Sequence, residues 1–422
     1  MLRTVHRAKY VLAEPDLLLK NAAVHVSDPG RISRIEPWNN PPVNLPMEIV
    51  DWGSAVIMPG LVNAHAHLEL TSLHNQLTPF NSFTDWISQL VGLRRPWTRE
   101  KFLASAKEGA RLSLASGTTI VGDISASGTG VEAASEDGLR RVLFEETLAF
   151  LPERADEAFS KLKVLLENGD PGRLMEHGVS PHAPYSVSPD LYRRTAELAR
   201  NQGRLLATHA AETKAEIQFL LTGDGEFREY LYATGSLPAD WKPPGLSPIL
   251  YLDSLGVLGP NCTLIHCNYL DRESMARILK TRSSVVYCPR SHDFFGHDEH
   301  PVRELLDSGI NVALGTDSLA SNDSLSMIDE IRFLYRKRKD LRCEEILRAA
   351  TLNGAAALNC GGILGRLRRG YWADMTVLEV PQNFGARQLQ SQILEGAGEC
   401  VATIVKGQIA WQRAAADTRI RR

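Results

Sequence analysis

This 422-residue chain has no Cys-x-x-Cys pair, no apolar run of membrane-spanning length and no excess of one charge. Its six cysteines (Cys262, Cys267, Cys288, Cys343, Cys360, Cys400) are sparse for the length. Without the paired spacing, neither a zinc ribbon nor a dithiol redox motif is indicated. Several of them lie in apolar runs, which suits buried free thiols in a reducing compartment. With 47 basic and 50 acidic residues the net charge is −3, which removes the electrostatic case for nucleic acid or an acidic membrane surface. The basic stretch at 332–339 reads as the solvated face of a helix. Glu14, Pro15 and Asp16 break the only candidate leader, so no signal peptide is expected. A cytoplasmic enzyme acting on a small molecule, with no nucleic-acid or membrane partner, is the expectation.

What the chain does have is His65-Ala66-His67 after an apolar run, Ala55-Val56-Ile57-Met58, that reads as a short buried strand. Residues i and i+2 of a strand share a face, so two such histidines can grip one metal ion. The spacing alone is weak among 12 histidines. Further short β-rich runs follow at 118–123, 141–145, 178–182, 205–209, 263–266, 284–288 and 312–317, with helical patterns between them. Among those helical segments are 99–116 and 189–201, the latter with Ser188 as its cap. Eight alternating units argue for an α/β fold of the (β/α)8 TIM-barrel type.

Chemistry in such barrels gathers at the C-terminal ends of the strands. There the chain places His65 and His67, His182, His209, His266 and Asp317, so five of eight strands end in a residue able to bind metal or move protons. Three imidazoles and a carboxylate with open positions suit a catalytic zinc, and iron accepts the same donors. Such an ion lowers the pKa of a bound water to about 7 and supplies hydroxide at neutral pH. Asp317 can bind the metal and take the water's proton, Glu212 can protonate the substrate, and His266 can hydrogen-bond the attacked group.

The ordered motifs resemble the amidohydrolase superfamily, in its cytosine deaminase and chlorohydrolase-like branch. They are Pro59-Gly60-Leu61-Val62-Asn63-Ala64-His65-Ala66-His67, Ser180-Pro181-His182-Ala183-Pro184-Tyr185, His209-Ala210-Ala211-Glu212, His266-Cys267-Asn268 and Gly315-Thr316-Asp317-Ser318. The resemblance implies metal at His65, His67, His209 and Asp317, with Glu212, His266 and Asp317 catalytic. Two-metal members carry a bridging lysine after the fourth strand; here His182 stands there with no lysine near, so one divalent ion per chain is expected, zinc or iron. Homodimers are common in the resembling family, which makes a homodimer the oligomer it suggests.

The sequences around Leu68-Glu69-Leu70, Phe144-Glu145-Glu146 and His209 to Glu216 are similar to aminodeoxyfutalosine deaminases of menaquinone synthesis, with methylthioadenosine and S-adenosylhomocysteine deaminases as neighbours. Those neighbours often place an arginine after the third strand, where this chain has Glu145 and Glu146. The expected activity is hydrolytic deamination of a purine-type nucleoside by attack of the metal's hydroxide, with ammonia released. The alternative is hydrolysis of another C–N or C–Cl bond in a nitrogen heterocycle, such as guanine, cytosine, a pterin or a triazine. Glu69, Trp86, His182, His292 and Ser321 are the expected substrate contacts. His297-Asp298-Glu299-His300 is not H-E-x-x-H, so no second zinc site is read there. Residues 1–55 and 368–422 contain short alternating segments too small to bury a core alone. They are expected to pair as a small β-sandwich beside a barrel over 56–367.

Overall fold

A computed structural model describes residues 3–39, 47–134, 138–169, 175–414 and 419–421. Eight parallel strands run in simple chain order: Leu61–Ala66, Thr118–Ser125, Arg140–Thr147, Glu176–Pro181, Leu206–Ala210, Cys262–His266, Ser284–Tyr287 and Val312–Leu314. A parallel bridge between Ala66 and Asp317 brings the last strand's exit back to the first and closes the barrel. Most barrel-strand positions are buried, and in such strands apolar runs replace strict alternation. Inside, Val62, Ile120, Val142, Phe144, Ala207 and Ile265 pack in one cluster with Ala355 and Leu358. The helix Leu352–Ala357 thereby seals the end where the strands begin: Val62 N donates to Ala350 O and Asn353 Nδ2 to Val312 O. Chemistry is left to the opposite end.

The helical expectations hold closely. Helices span Arg99–Ala115 and Pro189–Asn201, and the Ser188 hydroxyl caps the second by accepting Leu191 N. The basic stretch differs from a purely solvated face. It falls on the helix Met327–Lys337 and at its C-terminal end, and Arg332 donates to the carbonyls of Ile393, Ala397 and Gly398, tying the barrel to the C-terminal segment.

Both termini join one mixed nine-stranded sheet, whose core gathers Val11, Val24, Ile57, Val377 and Ile404. The run Ala55–Met58 belongs here and not to the barrel. The strand Ala55–Pro59 pairs antiparallel with Met375–Glu379 and parallel with Tyr10–Val11, and the barrel's first strand starts two residues later. Gly60 makes the passage possible, because a Cβ there would lie 2.2 Å from Thr119 Oγ1. Two successive strands in different sheets look like one apolar run when read from residue types alone. Among the described residues no helix is long and apolar enough to cross a membrane.

One buried ion pair supports the strand that carries the histidines. Asp123 accepts from Arg141 Nη1 (3.0 Å) and from Leu68 N (3.0 Å), directly after His67, and Arg141 is wholly buried. Burial pushes the Asp123 carboxyl up to about 7, against the pull of Arg141 and the Leu68 N–H. Removing one partner of such a pair strands the other. Arg141→Met is therefore expected to destabilise the fold by about 3–5 kcal/mol in denaturant titration.

Candidate active site

The first strand sets the site. His65 and His67 point to one side of it, as the i, i+2 spacing requires, with ring centroids 4.9 Å apart. Asn63, two residues earlier, holds the opposite edge: its Oδ1 accepts Thr316 N (3.1 Å) and its Nδ2 donates to Thr316 Oγ1 (2.8 Å). Thr316 N and Asp317 N both donate to His65 O at 3.1 Å. Gly315 permits this approach, since a Cβ there would sit 2.8 Å from His65 O. Asp317 takes a left-handed backbone (φ 60°), as do Ala211 (52°), His266 (72°) and Cys267 (53°). Such conformations are uncommon outside glycine and cluster at functional sites. Here all four lie just where strands five, six and eight end.

His209 leaves the fifth strand with its ring 5.1 Å from that of His65 and 5.5 Å from that of His67. Its Nδ1 lies 3.0 Å from His182 O. A carbonyl only accepts, so Nδ1 carries the proton and Nε2 presents its lone pair to the cluster. Burial lowers the pKa of both His67 and His209 well below the usual histidine range, with neighbouring histidines adding to the effect. Both are therefore neutral, the form that binds metal. Asp317 Oδ1 lies 3.5 Å from His65 Nε2 and 3.8 Å from His67 Nε2. Burial works against the charged form of Asp317, but the contact with His65 holds its carboxyl well below the ordinary range.

These residues fit a metal ion. His65 is 1% exposed and neither of its ring nitrogens has a hydrogen-bond partner, which is costly for a buried polar group unless something else binds it. Two sets of donors lie mutually within 4.8 Å, His65 with His67 and Asp317, and His65 with His209 and His266. Imidazoles and one carboxylate make a catalytic type of ligand set.

Asp317 is held from behind. Its Oδ2 accepts from Ser291 Oγ (2.8 Å) and Ser321 Oγ (2.7 Å), which leaves Oδ1 toward the histidines. Glu212 and His266 form the other wall, Glu212 Oε1 standing 3.4 Å from His266 Nε2. Burial raises the Glu212 pKa well above the usual carboxyl value, with Asp317 and Glu216 adding to it, whereas burial lowers that of His266 to about 3. Burial thus favours the uncharged form of both facing groups, the carboxylic acid of Glu212 and the imidazole of His266.

Above this floor opens a cavity of about 190 Å³. Its lining includes His67, His182, His209, Glu212, His266 and Asp317, and its upper wall includes Phe83, Trp86, Leu90, Tyr185 and Leu231. A mostly apolar cavity over a polar floor is suited to a ring. Two of the five expected substrate contacts, Trp86 and His182, line it; Trp86 Nε1 is anchored on Ala320 O (3.2 Å) and His182 Nδ1 on Ser186 Oγ (2.6 Å).

The other three do not line it. Glu69 is buried, and its carboxylate accepts from Ser125 Oγ, Ala126 N and Ser127 Oγ, so it braces the loop after the second strand. Ser321 is wholly buried and serves Asp317. His292 lies behind the seventh strand, its ring 5.5 Å from that of Tyr287 and 5.4 Å from that of His297. His300 in the same group takes up His266 O through Nε2 (2.9 Å), supporting a left-handed residue. Glu69 and Ser321 are thus polar residues beside a motif that are spent on fixing it. Ser291 and Asn63 were the opposite case: both hold Asp317's turn, yet nothing in residue type marks a serine or asparagine as a brace. Glu146, one of the two glutamates singled out after the third strand, also lines the cavity, as does Arg94, which spacing did not reveal.

Comparison with known proteins agrees with this geometry. Residues 56–410 match the amidohydrolase family. The chain is 33% identical over 328 residues to the aminodeoxyfutalosine deaminase of Deinococcus radiodurans, covering 75% of this chain and 76% of that protein. It is 29% identical over 395 residues to a 5-methylthioadenosine/S-adenosylhomocysteine deaminase of Syntrophobacter fumaroxidans, covering 86% and 84%. The crystal structure of Helicobacter pylori aminofutalosine deaminase in complex with methylthio-coformycin superposes with a TM-score of 0.84 at 24% identity, over 96% of this chain and 99% of that one. With its strand-end histidines, its buried carboxylic acid and a family match over most of its length, the chain belongs to the amidohydrolase family.

Proposed function

We propose that the protein is a metal-dependent hydrolytic deaminase of a purine-type nucleoside, aminodeoxyfutalosine-like or adenosine-like, and that it serves menaquinone biosynthesis. The observation that carries this reading is Glu212, a buried carboxyl group that lines the cavity 3.4 Å from His266, where burial favours its protonated form. An amine-bearing ring resists attack until a ring nitrogen is protonated, and a carboxylic acid at neutral pH is the group for that task. The 33% identity to an aminodeoxyfutalosine deaminase supports the choice of substrate.

His65, His67, His209 and Asp317 would hold one divalent ion, zinc or iron by the donor set. Such an ion lowers the pKa of a water to about 7 and so supplies the nucleophile. Glu212 donates its proton to the ring nitrogen, which makes the neighbouring carbon electrophilic. His266, neutral and 3.4 Å from Glu212, hydrogen-bonds the group under attack. Asp317 accepts the proton released by the water and passes it to the departing amine, with Ser291 and Ser321 keeping its carboxylate in plane. Nucleoside and water give the oxo product and ammonia, the proton of the added hydroxyl returning to Glu212 as the carbonyl forms. Phe83, Trp86 and Tyr185 cover the ring and limit bulk water.

Ammonia release from metal-loaded protein tests the reading. Adenosine, 5′-methylthioadenosine and aminodeoxyfutalosine are offered beside guanine, cytosine, a pterin and a chlorotriazine. Ammonia is expected from the adenine nucleosides. Chloride from the triazine, or no ammonia from any aminopurine nucleoside, overturns it in favour of another C–N or C–Cl hydrolase.

A further inference from the structure

Glu216 is wholly buried and takes no part in the mechanism above, yet it sits one helical turn from Glu212. Thr213-Lys214-Ala215-Glu216 has the form of a capping box, in which the glutamate ordinarily returns to the N-cap N–H. The structure shows a longer reach. Thr213 Oγ1 accepts Glu216 N (3.0 Å), while Glu216 Oε1 accepts Ala211 N (3.0 Å) and Oε2 accepts Glu212 N (2.8 Å). These two amides follow the end of the fifth strand at a left-handed residue, Ala211 with φ 52°, where the sheet offers them no partner. The carbonyl side is secured as well, Asn268 Nδ2 donating to Glu212 O (3.0 Å) and Tyr269 N to Ala211 O (3.1 Å).

From this clamp we infer that Glu216 is a positioning residue for the deaminase: its carboxylate fixes the Ala211–Glu212 turn so that the Glu212 acid meets the substrate ring. The inference rests on the reading of Glu212 as proton donor. Two adjacent N–H donors are matched by two carboxylate oxygens and by no neutral side chain of the same length, since glutamine would turn an NH2 toward one of them. Burying that carboxylate is costly: desolvation pushes it up to about 7 against the hydrogen bonds from Glu212, Ala211 and Thr213. Capping the helix does not require it, because Thr213 already supplies a cap. Placement of the acid is what remains, and a displacement near 1 Å at a reacting group costs on the order of 10²-fold or less.

The test compares Glu216→Gln, Glu212→Gln and the double variant, each metal-loaded, on 5′-methylthioadenosine and aminodeoxyfutalosine. Glu216→Gln is expected to lower kcat by about tenfold or more, with KM little changed and metal content as in the wild type. Amide exchange at Ala211 and Glu212 should rise locally. In the Glu212→Gln background the second substitution should cost nothing further, since the group it positions is gone. Equal losses in both backgrounds, or near-normal kcat in Glu216→Gln, overturn the inference. Near-normal kcat in Glu212→Gln overturns the acid reading itself, a separate outcome. Should Glu216→Gln fail to fold, Glu216→Asp, which keeps the charge but shortens the reach, is judged by the same comparison of backgrounds.

Discussion

Replacing His65 or His209 by alanine is expected to empty the metal site and abolish deamination while leaving the barrel folded. The wild-type protein should hold about one zinc or iron per chain, the stoichiometry of a catalytic site with three or four protein ligands. His65 is the donor shared by both ligand sets, and its ring nitrogens make no hydrogen bond, Asp317 Oδ1 lying 3.5 Å from Nε2. Losing it therefore removes an unsatisfied buried group and breaks no hydrogen bond, so the fold tolerates the change. His209 is oriented through His182 O, an interaction that the barrel does not depend on for closure. Elemental analysis with thermal melting separates the two effects. A variant that keeps its metal, or a wild type with two tightly held ions in its active form, contradicts the proposed ligand set.

Glu212→Gln should keep the metal and lose most of its turnover, by about 10²- to 10⁴-fold in kcat, the usual cost of a missing general acid. Glutamine matches the carboxylic acid in size and preserves the backbone amide that Glu216 holds, so the cavity keeps its shape. What disappears is a carboxyl group whose protonated form burial favours. Steady-state kinetics on an adenine nucleoside with matched metal content decide this. A kcat close to the wild-type value removes Glu212 from the proton transfer.

The gathering of the candidate site residues was legible in residue order because a parallel barrel converts a strand end into a place at one rim. His65, His209, His266 and Asp317 each end or directly follow an apolar run, and the structure brings all four together. Ala55–Met58 was misread because a buried strand of the flanking sheet has the same composition as a barrel strand, and only the space at Gly60 distinguishes them. The outer site was the least legible. Whether Glu69 faces substrate or the backbone of Ala126 depends on which way one short 3-10 segment, Leu68–Leu73, turns the side chain. Arg94 reaches the cavity from the last turn of the helix Phe83–Arg94, a position fixed by packing between helices and invisible to spacing.

The central claim is that water replaces an amine on a purine ring, and isotope labelling tests it most directly. Metal-loaded protein is incubated with an adenine nucleoside in ¹⁸O-water, and the products are read by mass spectrometry with an ammonia assay alongside. One ¹⁸O on the ring carbon that lost nitrogen, with one ammonia per product, is the predicted result. An unlabelled product, a cleaved glycosidic bond or an opened ring would contradict it.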